Sequence, residues 1–304
     1  MLEILFAAAL VDTVIAPPVD NMVVVHEWGV VTFTQESVVL GANPDTDPDA
    51  GIIPPDQWEE PVARAPVVYF YGEPFSGEFS VQANSGRFIE LYPEPETLLD
   101  TSPMPEYPSA SAVWTITGAR PDVPERGLPE RERRLSTCVP QDLLEIWREP
   151  PSMTLEFGNG TSEKFVYYEC TLKAMAEPGY YPVEMSGSGP SLDPEWDGEV
   201  LRGIREGDSV TLELVTREGV QQVDEENVPD ILCGWAGGNM KSQEIDALWN
   251  TWEQWITEGE WSGDTLEVFA FPRSTVESVS SITLDTDEYM YVEYFRFFLG
   301  ALSR

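Results

Sequence analysis

Residues 21–34 read NMVVVHEWGVVTFT, and an apolar side chain stands at nearly every position of the stretch. A strand with one wet face alternates apolar and polar residues, whereas a strand covered on both faces reads as a continuous apolar run. The stretch therefore predicts a strand buried on both sides. APVVYFYG (65–72) predicts a second of the same kind. Around these two lie segments with the period of two that a half-buried strand shows. In VTLEL, Val210, Leu212 and Leu214 fall on one face and Thr211 and Glu213 on the other. Met153, Leu155 and Phe157 repeat the pattern, as do Tyr289 and Tyr291 opposite Met290 and Val292. KFVYYEC (164–170) and RFIELY (87–92) carry the aromatic and β-branched residues that suit a pleated surface. Stretches rich in Gly, Pro and Asp separate the strands, and the chain's 26 prolines supply much of that punctuation.

One segment has a helical period instead. Between residues 242 and 258, Ile245, Leu248, Trp249, Trp252, Trp255 and Ile256 form a single broad apolar stripe. Ser242 is the expected N-cap, Glu244 suits the first turn and Gly259 is the expected stop. The stripe reads as core-facing in preference to a carbohydrate platform. Shorter helices are expected at 141–148 and 273–280. The fold class that follows is α+β, mainly β: antiparallel β-sandwich-like units with a Trp-rich amphipathic helix in the C-terminal half. An N-terminal β-rich unit (17–118) and a C-terminal one (151–304) are expected on either side of a connection at 119–150. That connection is rich in Pro and Arg, with Arg120, Arg126, Arg131, Arg133 and Arg134 between residues 119 and 136. The strand pairs in 65–92 and 152–170 look comparable, which fits two similar units.

The 304 residues carry 17 Lys and Arg against 54 Asp and Glu, a formal net charge of −37. Binding to a phosphate backbone needs a basic stripe, so nucleic acid is excluded as a main partner. Such a charge calls for cations, either as a general screening atmosphere or as ligands of clustered carboxylates. DTDPDAG at 45–51 offers the second kind of site: Asp45, Asp47 and Asp49 alternate, and Asp56 follows seven residues later, resembling the spacing of a calcium loop. Ala50 stands where that loop needs glycine, and Pro54-Pro55 blocks an exiting helix, so an acidic solvated turn competes with a calcium site. Asp285 and Asp287 form a second, weaker acidic pair.

ILFAAALVDTVIA (4–16) is too short to span a bilayer and has the length of a signal-peptide core, so residues 1–16 are expected to direct export. The competing reading is an apolar first element of the folded body. No other segment reaches transmembrane length, and no membrane span is expected in the mature chain. Cys138, Cys170 and Cys233 are widely spaced with no CxxC pair, which argues against zinc and leaves either one disulfide or buried thiols.

His26 is the only histidine and is followed by Glu27. The pair invites an acid–base or metal reading, but neighbouring residues of a strand point to opposite faces. GxSxG, P-loop, GxGxxG and HExxH signatures are absent from the sequence. GNGT (158–161) reads as a hairpin turn.

HEWGVVTFT (26–34) resembles the opening HEWGTFTS motif of a family of uncharacterised, mostly exported bacterial proteins of planctomycetes and myxobacteria. Further stretches match in the same order. APVVYFYG resembles the family's ETPVLYFY strand, and SGRFIELYPEPE (85–96) its segment with glycine, an acid and WYP. EKFVYYE (163–169) resembles EKFLFYRG, LEVFAFPRSTVESVSSITL (266–284) the VLYLVPR segment, and VEYFRFFLGAL (292–302) the closing LVRVMVGR run. HEWG and VYFY are the specific parts. Val30-Val31 replaces a single Thr, and Glu169-Cys170 replaces Arg-Gly. The resemblance implies an exported β-rich protein, marks His26, Glu27 and Trp28, and supplies no activity.

Two functions are compatible with these observations. One is a secreted, periplasmic or cell-surface binding or structural module, stabilised by calcium and meeting an extracellular polymer or a surface protein. The other is an extracellular hydrolase with His26 or a carboxylate pair as acid and base.

Overall fold

The computed structural model describes residues 21–33, 38–40, 66–84, 86–100, 109–121, 141–171, 183–186, 189–192, 198–207, 209–261, 263–273, 276–277 and 280–303. The Asp45–Asp56 loop, Cys138, residues 1–16 and most of the Arg-rich connection lie outside them.

The chain is mainly β. Its first half gives β1 (Met22–Phe33), β2 (Val38–Leu40), β3 (Pro66–Gly72), β4 (Phe75–Ala83), β5 (Phe88–Tyr92), β6 (Thr97–Asp100) and β7 (Ala110–Arg120). Helix α1 (Gln141–Arg148) leads to β8 (Thr154–Phe157), β9 (Ser162–Glu163) and β10 (Phe165–Thr171), and β11 (Val183–Ser186) pairs with β12 (Gly189–Leu192). Then come β13 (Val200–Glu206), β14 (Ser209–Thr216) and β15 (Gly219–Gln222), followed by α2 (Val228–Trp235) and α3 (Ser242–Thr257). The last strands are β16 (Thr265–Ala270), β17 (Ser280–Thr286) and β18 (Tyr291–Ser303).

The main sheet has ten strands and runs β15-β14-β13-β16-β18-β1. Beyond β1, β3 and β2 lie end to end: β3 pairs with Val23–Gly29 and β2 with Val31–Phe33. β10 pairs with both of them and carries β5 on its other side. The second sheet runs β17-β4-β7, with β6 and β8 sharing the far side of β7 and β9 beyond β8. Both sheets take strands from before and after residues 119–150.

Antiparallel pairing was the expectation, and β1 with β18 departs from it. These two strands run parallel over twelve residue pairs, from Met22 with Tyr291 to Phe33 with Leu302. Every other described ladder is antiparallel. Strands close in sequence join by hairpins and so run antiparallel, but β1 and β18 come from opposite ends of the described chain and no short turn dictates their direction.

The central strands of the main sheet are buried on both faces over most of their length, as the apolar runs predict. Val23, Val25 and Val31 of β1 and Val68 and Phe70 of β3 enter a core shared with Phe79, Trp114 and Leu155 of the second sheet. Trp28 and Val30, with Val67 and Tyr69, face the other way into a core closed by the three helices. Burying one such side chain contributes about 1.5–3 kcal/mol, so both layers rest on the central strands.

The α3 stripe faces this second core: Ile245, Leu248, Trp249, Trp252, Trp255 and Ile256 are all buried there. Its N-cap is Lys241, in extended conformation, one residue before the expected Ser242. The Lys241 N–H donates to Glu244 Oε2 at 2.7 Å, so the N3 carboxylate, not the serine hydroxyl, sets the helix start. Gly259, at φ +73°, follows the C-cap in the left-handed conformation that favours glycine. Helix α1 matches the expected 141–148. The expected helix at 273–280 is only partly described, and Ser280 already opens β17. Helix α2 was not anticipated. GNGT forms the turn between β8 and β9, closed by Phe157 N–H on the Thr161 carbonyl at 2.9 Å.

Candidate functional site

Strand β1 sends its even-numbered side chains towards the helices and its odd-numbered ones towards the second sheet. His26 and Glu27 are thus separated by the sheet itself, as the sequence reading required. Each has its own set of partners.

On the helix side, the first turn of α3 brings Glu244 over β1. Its carboxylate is fully buried and accepts His26 Nδ1 at 2.9 Å, the Tyr71 hydroxyl at 3.0 Å and the Lys241 N–H at 2.7 Å. With two other donors on the same carboxylate, Nδ1 must carry its proton, and in the neutral ring the lone pair sits on Nε2. The imidazole lies against Tyr71, ring centroids 5.0 Å apart, and meets Phe295 edge-on at 5.4 Å. Lys241 Nζ stands 4.5 Å from the centre of the Tyr71 ring, a cation–π contact. Burial, reinforced by the charge of Glu244, pushes the Tyr71 hydroxyl well above its ordinary pKa.

On the other face, Glu27 is completely buried. It accepts the Tyr168 hydroxyl at 2.7 Å and a hydrogen bond from Arg296 Nε. Arg296 Nη1 reaches the Ser280 carbonyl at 2.7 Å and Nη2 the Ser280 hydroxyl at 2.8 Å. Burial works against the Arg296 charge, but the Glu27 carboxylate outweighs it and holds the guanidinium pKa above its usual value. Burial and the same carboxylate push the Tyr168 hydroxyl up. The network joins β1, β10 and β18 of the main sheet to β17 of the second.

Trp28 and Gly29 complete the HEWG segment. Trp28 is fully buried and meets Trp147 of α1 edge-on at 6.5 Å. A Cβ on Gly29 would stand 2.7 Å from Phe298 Cε1 and 3.1 Å from Pro66 Cγ, so neither β18 nor β3 leaves room for a side chain.

Other sequence-marked groups lie apart. Asp285 faces Glu78 across β17 and β4, both exposed, and the Asp287 N–H donates to the Ser76 carbonyl. Cys170 is buried and Cys233 exposed, both as free thiols. Among the described residues, no group of three or more His, Cys, Asp or Glu is arranged to hold a metal. No described helix is long and apolar enough to cross a membrane. A void between α2, α3 and the sheet is lined only by apolar side chains, Leu201, Leu248, Trp252 and Val268 among them, and takes no more than about one water.

Sequence reasoning marked His26 and Glu27 but missed Glu244, Tyr71, Arg296, Tyr168 and Ser280. One signal was present: Arg296 is a lone charge inside the apolar run YFRFFLGAL, and a charge in a buried strand requires a counter-charge.

Comparison of the chain with family models, with curated proteins and with solved structures gives no match.

Proposed function

We propose that this chain is a non-catalytic binding or structural module, exported and acidic, of the kind implied by its resemblance to the HEWG-bearing bacterial family. The separation of His26 from Glu27 carries this reading. An acid–base pair has to converge on one substrate, yet the two residues are tied into different layers, one to Glu244 and the other to Arg296 and Tyr168. Trp28 and Gly29 have packing roles of their own. Every residue of the motif thus has a part in holding three layers on one strand. Cations are the general partners of a surface with net charge −37, and calcium at Asp45, Asp47, Asp49 and Asp56 belongs to the same proposal.

Two measurements test it. Incubation with starch, cellulose, chitin and casein should release no new chain ends, and hydrolysis that disappears in His26→Gln would replace this reading with the hydrolase. Thermal melts in calcium, in chelator and in sodium at matched ionic strength address the cation. A rise specific to calcium supports a bound ion, and equal rises leave only screening.

A further inference from the structure

The three helices do not cover the whole of one face of the main sheet. Past the N-terminus of α3, strand register lays out nine side chains in three rows: Tyr291, Met22 and Glu73; Glu293, Val24 and Tyr71; Phe295, His26 and Tyr69. His26 and Tyr69 are buried where α3 begins, whereas Met22, Val24, Tyr71, Glu293 and Phe295 are half-buried and Tyr291 is 54 % exposed. The surface is half aromatic and most open at Tyr291 and Glu73.

His26 opens onto this surface. Its side chain is 7 % exposed, its Nδ1 is committed to Glu244, and no described group pairs with Nε2, which nevertheless is not sealed from water. The ring is clamped between Tyr71 and Phe295 with a buried carboxylate behind it. The carboxylate fixes the tautomer and orientation of the ring and leaves Nε2 as its uncommitted nitrogen. In its neutral form the ring presents an acceptor at Nε2, and the group that this form suits is a hydrogen-bond donor.

We propose that this patch is a saccharide-binding face, with His26 Nε2 and the Glu293 carboxylate accepting hydroxyls and Phe295 and Tyr291 stacking against the apolar face of sugar rings. The inference rests on the binding-module reading and names its ligand class. Charge selects among sugars: a protein at −37 repels uronate and sulfated polymers, so the ligand is a neutral glycan. A bare cation is disfavoured by shape, because aromatic recognition of cations uses an enclosing cage and this surface is open. The Tyr71 ring, moreover, already receives the Lys241 ammonium.

The single histidine of the chain makes the test direct, since its imidazole nitrogens give one set of NMR signals. The intact protein is titrated with hexasaccharides of glucose, xylose and N-acetylglucosamine, with polygalacturonate and a glucosamine hexamer as anionic and cationic controls. At least one neutral hexasaccharide should shift the Nε2 resonance saturably, and Tyr291→Ala, at an exposed site that leaves folding intact, should weaken that binding about tenfold. The site is overturned if no neutral sugar moves the signal at millimolar concentration, if Tyr291→Ala leaves the affinity unchanged, or if only the cationic control binds. Silence towards all sugars leaves the module reading in place. New reducing ends in the titrated samples overturn that reading while keeping the site.

Discussion

Glu27 and Arg296 are register partners in the one parallel ladder among the described strands, and their side chains form an ion pair 269 residues apart in sequence, buried between the two sheets. A slip of β18 by one residue along β1 would turn Arg296 towards the helices and strand both charges. Removing one partner of a buried pair typically costs about 3–5 kcal/mol, largely because the other charge is left alone. Glu27→Gln and Arg296→Met should each lower stability by about that amount in urea unfolding, and combining them should cost clearly less than the sum. Strict additivity would remove the pairing from this account.

Gly29→Ala should lower stability by about 1–3 kcal/mol, the usual effect of adding a methyl to a filled core. Since Phe298 Cε1 is the nearest obstacle at 2.7 Å, Phe298→Leu should restore part of the loss when added to Gly29→Ala. A double variant no better than the single would show that strand spacing, not the phenyl ring, excludes the side chain.

Glu244→Ala removes a helix cap and leaves the His26 and Tyr71 donors unsatisfied, losses of about 1 kcal/mol and about 1–3 kcal/mol respectively. The deficit should be local at first, with amides of the first turn of α3 exchanging hydrogen faster while those of β18 are unchanged. Uniform acceleration across both elements would contradict a role confined to docking the helix.

Much of the fold is legible in the residues. Continuous apolar runs at 21–34 and 65–72 signal burial on both faces, and the offsets of Trp249, Trp252 and Trp255 signal a core-facing helix, because both signals are local periods. Long-range pairing leaves no period. Nothing near His26 in the chain points to Glu244, 218 positions away, and nothing in either strand announces that β1 and β18 run parallel. The site was legible only as its negative half: alternation required His26 and Glu27 to diverge, while the groups they diverge towards are set by tertiary contact. Lys241 in place of Ser242 as the helix cap has the same origin, since Glu244 is held where it is by His26 and Tyr71.

The two described thiols should differ in reactivity. Burial first, then the neighbouring Glu169 and Glu27, push the Cys170 pKa up, whereas Cys233 lies exposed on α2. The thiolate is the reacting species, so iodoacetamide should label Cys233 in the native protein and Cys170 only after unfolding. Labelling of both at similar rates in the folded state would contradict the closed core around β10.

Alkaline pH should unfold the protein steeply. Burial, with help from Glu244, Glu163 and Glu27, raises the hydroxyl pKa of Tyr69, Tyr71, Tyr92 and Tyr168 above the ordinary value of 10.0. The unfolded chain then holds fewer protons than the native one above pH 10, so stability is complete below that pH and falls as pH rises. Each of the four contributes a slope of about 1.4 kcal/mol per pH unit. Urea midpoints measured from pH 9 to 11 should decline with a slope near the sum of several tyrosines. A flat profile would mean that these hydroxyls ionise in place.

The pairing of β1 with β18 also bears on how the molecule comes into being. A chain emerging from the ribosome presents β1 with both of its apolar faces uncovered, and the strand that covers its other long edge follows 269 residues later. Contacts of such sequence separation form slowly, so until β18 is made the growing polypeptide lacks its central seam and stays loosely organised. It should depend on holding factors until β18 has emerged, and then close in a single late step.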